Sequence, residues 1–368
     1  MHTTRPSTVD VPCPASVPAV GTFRAVTAEQ GRAMTPRRWP ARFRHRRTHP
    51  LPGPLQIARL MLGGGFTQHD LRTVRQIRVR PSTPGTPVAG CAVTWVGHAT
   101  VLIRAAGAAV LVDPSWSARL PGAGTRLTPP GVAFTALPPL HAVLLTHDHP
   151  DHMDRPTLRR LPREVPMLVP LGVGGWLRRH GFRDVREHDW WQHTDLGALR
   201  CTLVPAHHWS GRSPLSIYQS LWGGWVITTG THRIYHAGDS AHGPAFAQIG
   251  VRLGPIDLAC LPVGAYAPRW FQAPAHIDPA QAVAACQQVG ARRMLPIHWG
   301  CWNLGREPLL APWRRTRQAW AAAGLPTDRL WDLAIGETRA LPPPATSLAA
   351  ATRSHAPATA ATTPEELR

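Results

Sequence analysis

Lysine is absent from this 368-residue chain, so its formal charge of +19 rests entirely on 40 arginines against 21 acids. Closely spaced cysteines are missing too. Cys13, Cys91, Cys201, Cys260, Cys286 and Cys301 are scattered, which excludes a disulfide framework and a cysteine-based zinc site and points to a reducing compartment. No apolar run reaches bilayer-spanning length, and the N-terminus lacks a basic-then-apolar signal pattern. A cytoplasmic protein is expected, soluble or peripheral to a membrane. No internal repeat of fixed period is found either. What remains is ample core: with 43% hydrophobic residues, the chain can build one large domain or two ordinary ones without staples.

The charge is uneven. Residues 1–90 hold 14 arginines against three acids, Asp10, Glu29 and Asp70, a net of +11 that leaves +8 for the rest. Such an arm favours anionic lipid head groups or nucleic acid; arginine-for-lysine usage beside abundant Ala, Pro and Gly fits a compositional bias equally well. Residues 1–50, rich in Pro, Thr and Arg, and 342–368, rich in Ala, Thr and Pro, read as disordered ends. Between them, 51–90 form a lead-in and 91–341 the folded domain. Its short apolar runs alternate with helical patterns, which makes it α/β. Strands are predicted at 92–96, 101–104, 109–112, 142–145, 167–169, 201–204, 222–228, 234–236, 258–261 and 294–297. Helices are predicted at 156–160, 173–180, 279–289 and 313–323, with Asp278 as an N-cap and Gly181, Gly290 and Gly324 as stops.

Thr146-His147-Asp148-His149-Pro150-Asp151-His152 carries the chemistry. Three imidazoles and two carboxylates in seven residues, directly after the apolar run Ala142-Val143-Leu144-Leu145, supply the nitrogen and oxygen donors that zinc or a similar divalent ion prefers. A histidine-rich surface loop is the bland alternative in a chain with 20 histidines. Three further strand ends weigh against it: Pro205-Ala206-His207-His208-Trp209, His236-Ala237-Gly238-Asp239-Ser240 and Ile297-His298-Trp299-Gly300. Donors at the ends of successive strands converge on one rim of a layered α/β fold.

With these residues in order, the chain resembles the metallo-β-lactamase superfamily, whose HxHxDH loop is followed by distant His, Asp and His. Val93-Thr94-Trp95-Val96-Gly97-His98-Ala99-Thr100-Val101, Asp189-Trp190-Trp191, His208-Trp209 and Leu221-Trp222-Gly223-Gly224-Trp225 are similar to its N-acyl-phosphatidylethanolamine phospholipase D branch. So are Ala237-Gly238-Asp239, Gly264-Ala265-Tyr266, Pro268-Arg269-Trp270-Phe271, His276-Ile277-Asp278-Pro279 and Ile297-His298-Trp299-Gly300. The resemblance covers about residues 90 to 340. It implies a metallo-β-lactamase-like αββα sandwich of two mixed sheets flanked by helices, with 91–341 as the hydrolase domain. By the resemblance, two zinc ions are expected, one on His147, His149 and His208, the other on Asp151, His152 and His298, with Asp239 bridging. His207 is then left to hydrogen bonding and His98 to a supporting role. Asp148 and Pro150 depart from the branch, which carries asparagine and a substrate-touching tyrosine there.

The resemblance implies a phosphodiesterase that releases an N-acylethanolamine and phosphatidic acid through a hydroxide held between the metals. Two zinc ions against two carboxylates and a hydroxide leave residual positive charge for a phosphodiester anion. Asp151, Asp239 and His276 are the expected catalytic residues. His276, Tyr266, Arg269 and Trp209 are the expected substrate contacts, and Arg212 is a further candidate for phosphate oxygens. Trp209, Trp222, Trp225, Tyr266, Trp270 and Phe271 suggest an acyl groove, with 15 tryptophans against seven phenylalanines in the whole chain. The partners expected are a phospholipid or other phosphodiester, an anionic membrane touched peripherally, and a second copy in a homodimer; nucleic acid is not expected. An ascorbate-lactonase-like hydrolase of a small soluble ester or phosphate is the alternative. A nuclease on the same fold ranks lower because recognisable nuclease-specific insertions are missing, and a binding protein ranks lower because all seven donors are present.

Overall fold

All seven residues of Cys91–Gly97 are buried, as are those of the two runs that follow, and strands this apolar need cover on both faces. Two sheets packed together and flanked by helices provide it. The structure, a computed structural model, describes residues 42–66, 71–85, 90–122 and 124–343. The chain begins one sheet with β1 (Cys91–Gly97), β2 (Thr100–Ala105) and β3 (Ala108–Val112). It makes a two-stranded excursion, β4 (Arg119–Leu120) and β5 (Gly124–Thr125), then adds β6 (Ala142–Leu144), β7 (Met167–Pro170) and β8 (Val185–His188). The second sheet is β9 (His193–Leu196), β10 (Leu199–Val204), β11 (Gly224–Thr228), β12 (Arg233–His236), β13 (Leu258–Pro262) and β14 (Met294–Ile297). Finally β15 (Thr338–Leu341) returns to the first sheet beside β1.

The seven-stranded order is β15-β1-β2-β3-β6-β7-β8 and the six-stranded order β14-β13-β12-β11-β10-β9, both mixed. Alternate side chains divide between two cores, as the period of a strand requires. Val101 and Ile103 join the large core shared with the second sheet, whereas Leu102 joins a smaller one. That smaller core also takes Leu158 of α2 (Arg155–Leu158) and Leu177 of α3 (Gly174–Arg179). On the far side, α4 (Ala245–Leu253) and α6 (Pro279–Gln288) contribute Phe246, Ile249, Ala282 and Val283, and α7 (Ala311–Ala322) adds Trp320. Asp278 caps α6 as anticipated, its carboxylate accepting the Gln281 N–H.

All ten predicted strands form, within a residue or two of their expected ends. Strands β4, β5, β8, β9 and β15 were not anticipated: β4 and β5 are two residues each, and Val185-Arg186-Glu187-His188, His193-Thr194-Asp195-Leu196 and Thr338-Arg339-Ala340-Leu341 are short, largely polar and lie at sheet edges. Three helices, α1 (Pro54–Leu62), α4 and α5 (Arg269–Gln272), were likewise not anticipated. Most of the expected N-terminal arm, and the tail beyond residue 343, lie outside the described residues. Packed chain is nevertheless present before residue 51: Phe43 is buried in the large core, and Arg46 pairs with Asp189 at 3.1 Å and lies over Trp190.

Strand direction positions the site. β1 and β3 are both antiparallel to β2, and β6 is parallel to β3, so β1, β3 and β6 end at one edge. By the same reasoning β10, β12 and β14 run together in the second sheet. The residues that follow these six strands include His98, Asp113, the 146–152 loop, His207 and His208, Asp239, and His298.

Candidate metal centre

Two groups of four donors meet at this rim, and a third, Asp239, His276 and His298, overlaps them. One joins His147, His149, His208 and Asp239; the other joins His98, Asp151, His152 and His298, and within each group every donor atom is within 4.8 Å of the others. His149 Nδ1 lies 2.9 Å from His147 Nε2 and 3.2 Å from His208 Nε2. A single ring nitrogen carries one proton or one lone pair, so it cannot satisfy both neighbours. Asp239 faces both groups. Its Oδ2 is 3.2 Å from His152 Nε2 and 3.8 Å from His208 Nε2, while its Oδ1 is 3.2 Å from His298 Nε2. Asp151 Oδ2 is 3.4 Å from His152 Nε2 and 3.3 Å from His298 Nε2.

Several of these atoms are buried without a hydrogen-bond partner: Nε2 of His149, His152 and His298, and Oδ1 of Asp239. Orphaned buried polar atoms are expensive, and lone pairs converging with carboxylates suit divalent cations. The donors are also oriented from behind. His152 Nδ1 donates to Asp113 Oδ2 at 2.7 Å, and His208 Nδ1 donates to the Ala275 carbonyl at 2.9 Å. Both bonds hold a proton on Nδ1, so Nε2 is the nitrogen turned toward a cation. Asp113 further accepts the Thr146 N–H at 2.8 Å and the Thr146 hydroxyl at 2.6 Å, so one carboxylate holds both the histidine and the root of the loop.

His98 supports the second group twice. Its Nε2 donates to Asp151 Oδ2 at 2.9 Å, and its carbonyl accepts the His298 N–H at 3.0 Å. His98, Asp113, Ala265 and His298 all adopt left-handed backbone conformations, a concentration of strain typical of functional sites. Glycine is required nearby. A Cβ on Gly264 would sit 2.2 Å from the His298 carbonyl oxygen, and one on Gly238, at φ +60°, would sit 2.7 Å from Thr146 Cβ.

Charge separates the two groups. Burial, followed by the neighbouring imidazoles, pushes His147 and His149 well below the usual histidine range; burial takes His208 down to about 4. For His152 and His298 burial acts in the same direction but is outweighed by Asp239 and Asp151, so His298 is raised to about 9 and His152 well above its ordinary value. Burial raises Asp151 and Asp239, yet the facing imidazoles hold both well below the carboxylate range.

A cavity of about 420 Å³ opens onto His149, Asp151, Asp239, His276 and His298. Its remaining walls are mainly apolar, including Leu51, Pro52, Ile57, Phe66, Trp209, Ile217 and Phe271. Trp209 packs its ring edge against His149 at 4.2 Å between centroids. His276 Nδ1 lies 3.9 Å from Asp239 Oδ2 and has no hydrogen-bond partner; burial lowers this imidazole to about 3, which keeps it neutral.

Other expected contacts are engaged elsewhere. Arg269 donates to the His276 carbonyl at 2.9 Å and to Gln281 Oε1 at 3.0 Å, so it positions His276 and is not a cavity wall. Arg212 donates to the carbonyls of Asp148 and Met153 at 2.7 and 2.9 Å and thereby clamps the 146–152 loop. The Tyr266 ring lies under the Arg315 guanidinium, 5.7 Å from centroid to cation, and is not among the cavity walls. Trp222 and Trp225 are fully buried, their indole N–H groups bonded to the Ala206 and Leu145 carbonyls, so they brace the ligand loops and do not line a groove. Asp148 Oδ1 accepts the Gly211 N–H at 2.7 Å, and neither it nor Pro150 lines the cavity. His207 stays out of both donor groups, its N–H bonded to Ser240 Oγ.

Asp113 is the site residue that sequence reasoning missed. An acid closing the apolar run Val110-Leu111-Val112 carries the same signature that identified Asp239.

Residues 108–299 match the family described as Beta-lactamase superfamily domain. An uncharacterised protein of Mycobacterium tuberculosis is 41% identical over 235 residues, 61% of this chain and 62% of that protein. The N-acyl-phosphatidylethanolamine-hydrolyzing phospholipase D 1 of Caenorhabditis elegans is 36% identical over 234 residues, 59% of this chain and 65% of that enzyme. The matched stretch thus spans somewhat less than two thirds of these relatives. Among solved structures, an isothiocyanate hydrolase from Delia radicum gut bacteria superposes with a TM-score of 0.57 at 20% identity, covering 68% of this chain and 98% of that one.

Proposed function

Because the chain belongs to the beta-lactamase superfamily, we propose that it is a metal-dependent hydrolase cleaving the phosphodiester of N-acyl-phosphatidylethanolamine-type lipids to an N-acylethanolamine and phosphatidic acid. The observation that carries the reading is the junction of two donor groups, both facing Asp239, with an apolar cavity of about 420 Å³. His147, His149 and His208 would hold one divalent cation and Asp151, His152 and His298 the other, zinc by donor chemistry, with Asp239 shared. Such ions supply Lewis acidity toward phosphoryl oxygen and lower the pKa of water to about 7.

The chain's own groups do the rest. Asp113 and the Ala275 carbonyl keep the donor tautomers of His152 and His208, so neither has to reorganise during turnover. His98 and Arg269 position Asp151 and His276. Neutral His276, at the cavity wall beside Asp239, offers an N–H to a phosphate oxygen or to the departing alcohol oxygen. Trp209, Ile217 and Phe271 line a space suited to an acyl chain. The 36% identity to the nematode phospholipase D supports the same substrate class.

The test is a substrate panel on zinc-loaded protein: N-acyl-phosphatidylethanolamine, a simple soluble diester and lactones. Preferential release of N-acylethanolamine is expected. Preference for a lactone or other small soluble ester would replace this reading with the ascorbate-lactonase-like one.

A further inference from the structure

The helix α1 turns its apolar side outward. At 100° per residue, Leu55, Ala58, Met61 and Leu62 share one face. Leu55 is 88% exposed, Met61 67% and Leu62 91%, whereas Leu60 on the opposite side is 3% exposed. A soluble helix buries its apolar stripe, and a contiguous exposed one marks an interaction surface. The C-terminal end of the helix is anchored. Arg306 donates to the carbonyls of Leu60 and Gly63 at 2.7 and 2.8 Å and to that of Gly65, and Asn303 donates to Phe66 O. Both anchors lie in the loop that follows His298.

The same segment forms part of the cavity. Ile57 and Phe66 line it, so the exposed face and the apolar route toward Asp239 and His276 are built from one stretch of chain. Charge identifies the occupant: residues 42–66 carry five arginines and no acid, and the Arg59 guanidinium covers the half-exposed Trp270 ring at 4.7 Å. Apolar side chains beside the Arg59 cation and an indole at the water boundary, on a segment without acids, fit the interface of an anionic bilayer. This segment lies outside the matched residues 108–299.

We propose that the outward face of α1 docks on an anionic lipid bilayer, with Leu55, Met61 and Leu62 inserted, so that the cavity mouth meets the membrane surface. The inference rests on the phospholipid reading for its purpose, but its test is separate. The metal-loaded 368-residue protein is sedimented with vesicles of phosphatidylcholine and phosphatidylglycerol and compared with the variant Leu55→Ser/Met61→Ser/Leu62→Ser, which leaves the cavity walls intact. Binding by the variant should fall by roughly a hundredfold, given the apolar area withdrawn. Hydrolysis of vesicle-held N-acyl-phosphatidylethanolamine should fall with it, while turnover of soluble bis(p-nitrophenyl) phosphate stays unchanged.

Equal vesicle binding by both proteins, or none by the parent, overturns the proposal. So does a parent dimer that the variant loses, since the face would then belong to a second copy. Vesicle binding that depends on α1 without turnover of any phospholipid would uphold the docking surface and remove the proposed activity.

Discussion

Asp113→Asn isolates the contribution of one buried carboxylate to the metal centre. Asp113 accepts three hydrogen bonds, from His152 Nδ1, Thr146 N and Thr146 Oγ1. The amide has almost the same shape, and its oxygen can keep the Thr146 N–H bond, but its NH2 then faces His152 Nδ1. To accept that donor, the imidazole must move its proton to Nε2, the atom 3.2 Å from Asp239 and 3.4 Å from Asp151. The donor that should face a cation would then present a proton. Loss of such an orienting partner weakens metal binding by about 10–100-fold, equivalent to about 1.4–2.7 kcal/mol. Stability should change by only about 1 kcal/mol, because most of the bonds are re-formed. Asp113→Ala, by contrast, strands three buried donors at about 1–3 kcal/mol each. Zinc titration against a chromophoric chelator, with urea unfolding in parallel, reads both quantities. Unchanged affinity for both zinc equivalents in Asp113→Asn would refute the tautomer argument.

Other substitutions address neighbouring links. His98→Ala should retain about one zinc per chain where the parent retains two, by elemental analysis after dialysis, because Asp151 and His298 lose their support. Gly264→Ala should lower the urea midpoint by an amount worth about 1–3 kcal/mol, since the Cβ meets the His298 carbonyl oxygen. Asp148→Asn should fold and bind metal as the parent does, whereas Asp148→Ala leaves the Gly211 N–H unpaired and loses about 1–3 kcal/mol in the same urea assay. Trp225→Phe should cost about 1 kcal/mol of unfolding free energy for the lost bond to the Leu145 carbonyl.

The donor groups were legible because each donor closes a short apolar strand, and strand ends in layered folds share a rim. The unbroken apolar runs that marked β2 and β3 also imply cover on both faces of their sheet. Where a long side chain spends its hydrogen bonds was not legible. Arg212 and Arg269 stand beside site residues in sequence, yet backbone carbonyls within reach satisfy their guanidinium groups before any substrate does. Trp222 and Trp225 show the same limit, since an indole beside a ligand loop serves the loop from inside the core as readily as from the cavity. Asp113 went unread because a lone acid after an apolar run signals little until its three donors are seen. The α1 segment escaped because nine residues with their apolar side outward do not give the pattern of a helix packed on a core.

The central claim is hydrolysis of a phosphodiester at phosphorus, and turnover of N-acyl-phosphatidylethanolamine in oxygen-18 water tests it most directly. Zinc-loaded protein should place one labelled oxygen in the phosphate of phosphatidic acid and none in the N-acylethanolamine, with Asp239→Ala inactive although folded. Label in the N-acylethanolamine, or intact lipid after incubation with fully metallated protein, would contradict it.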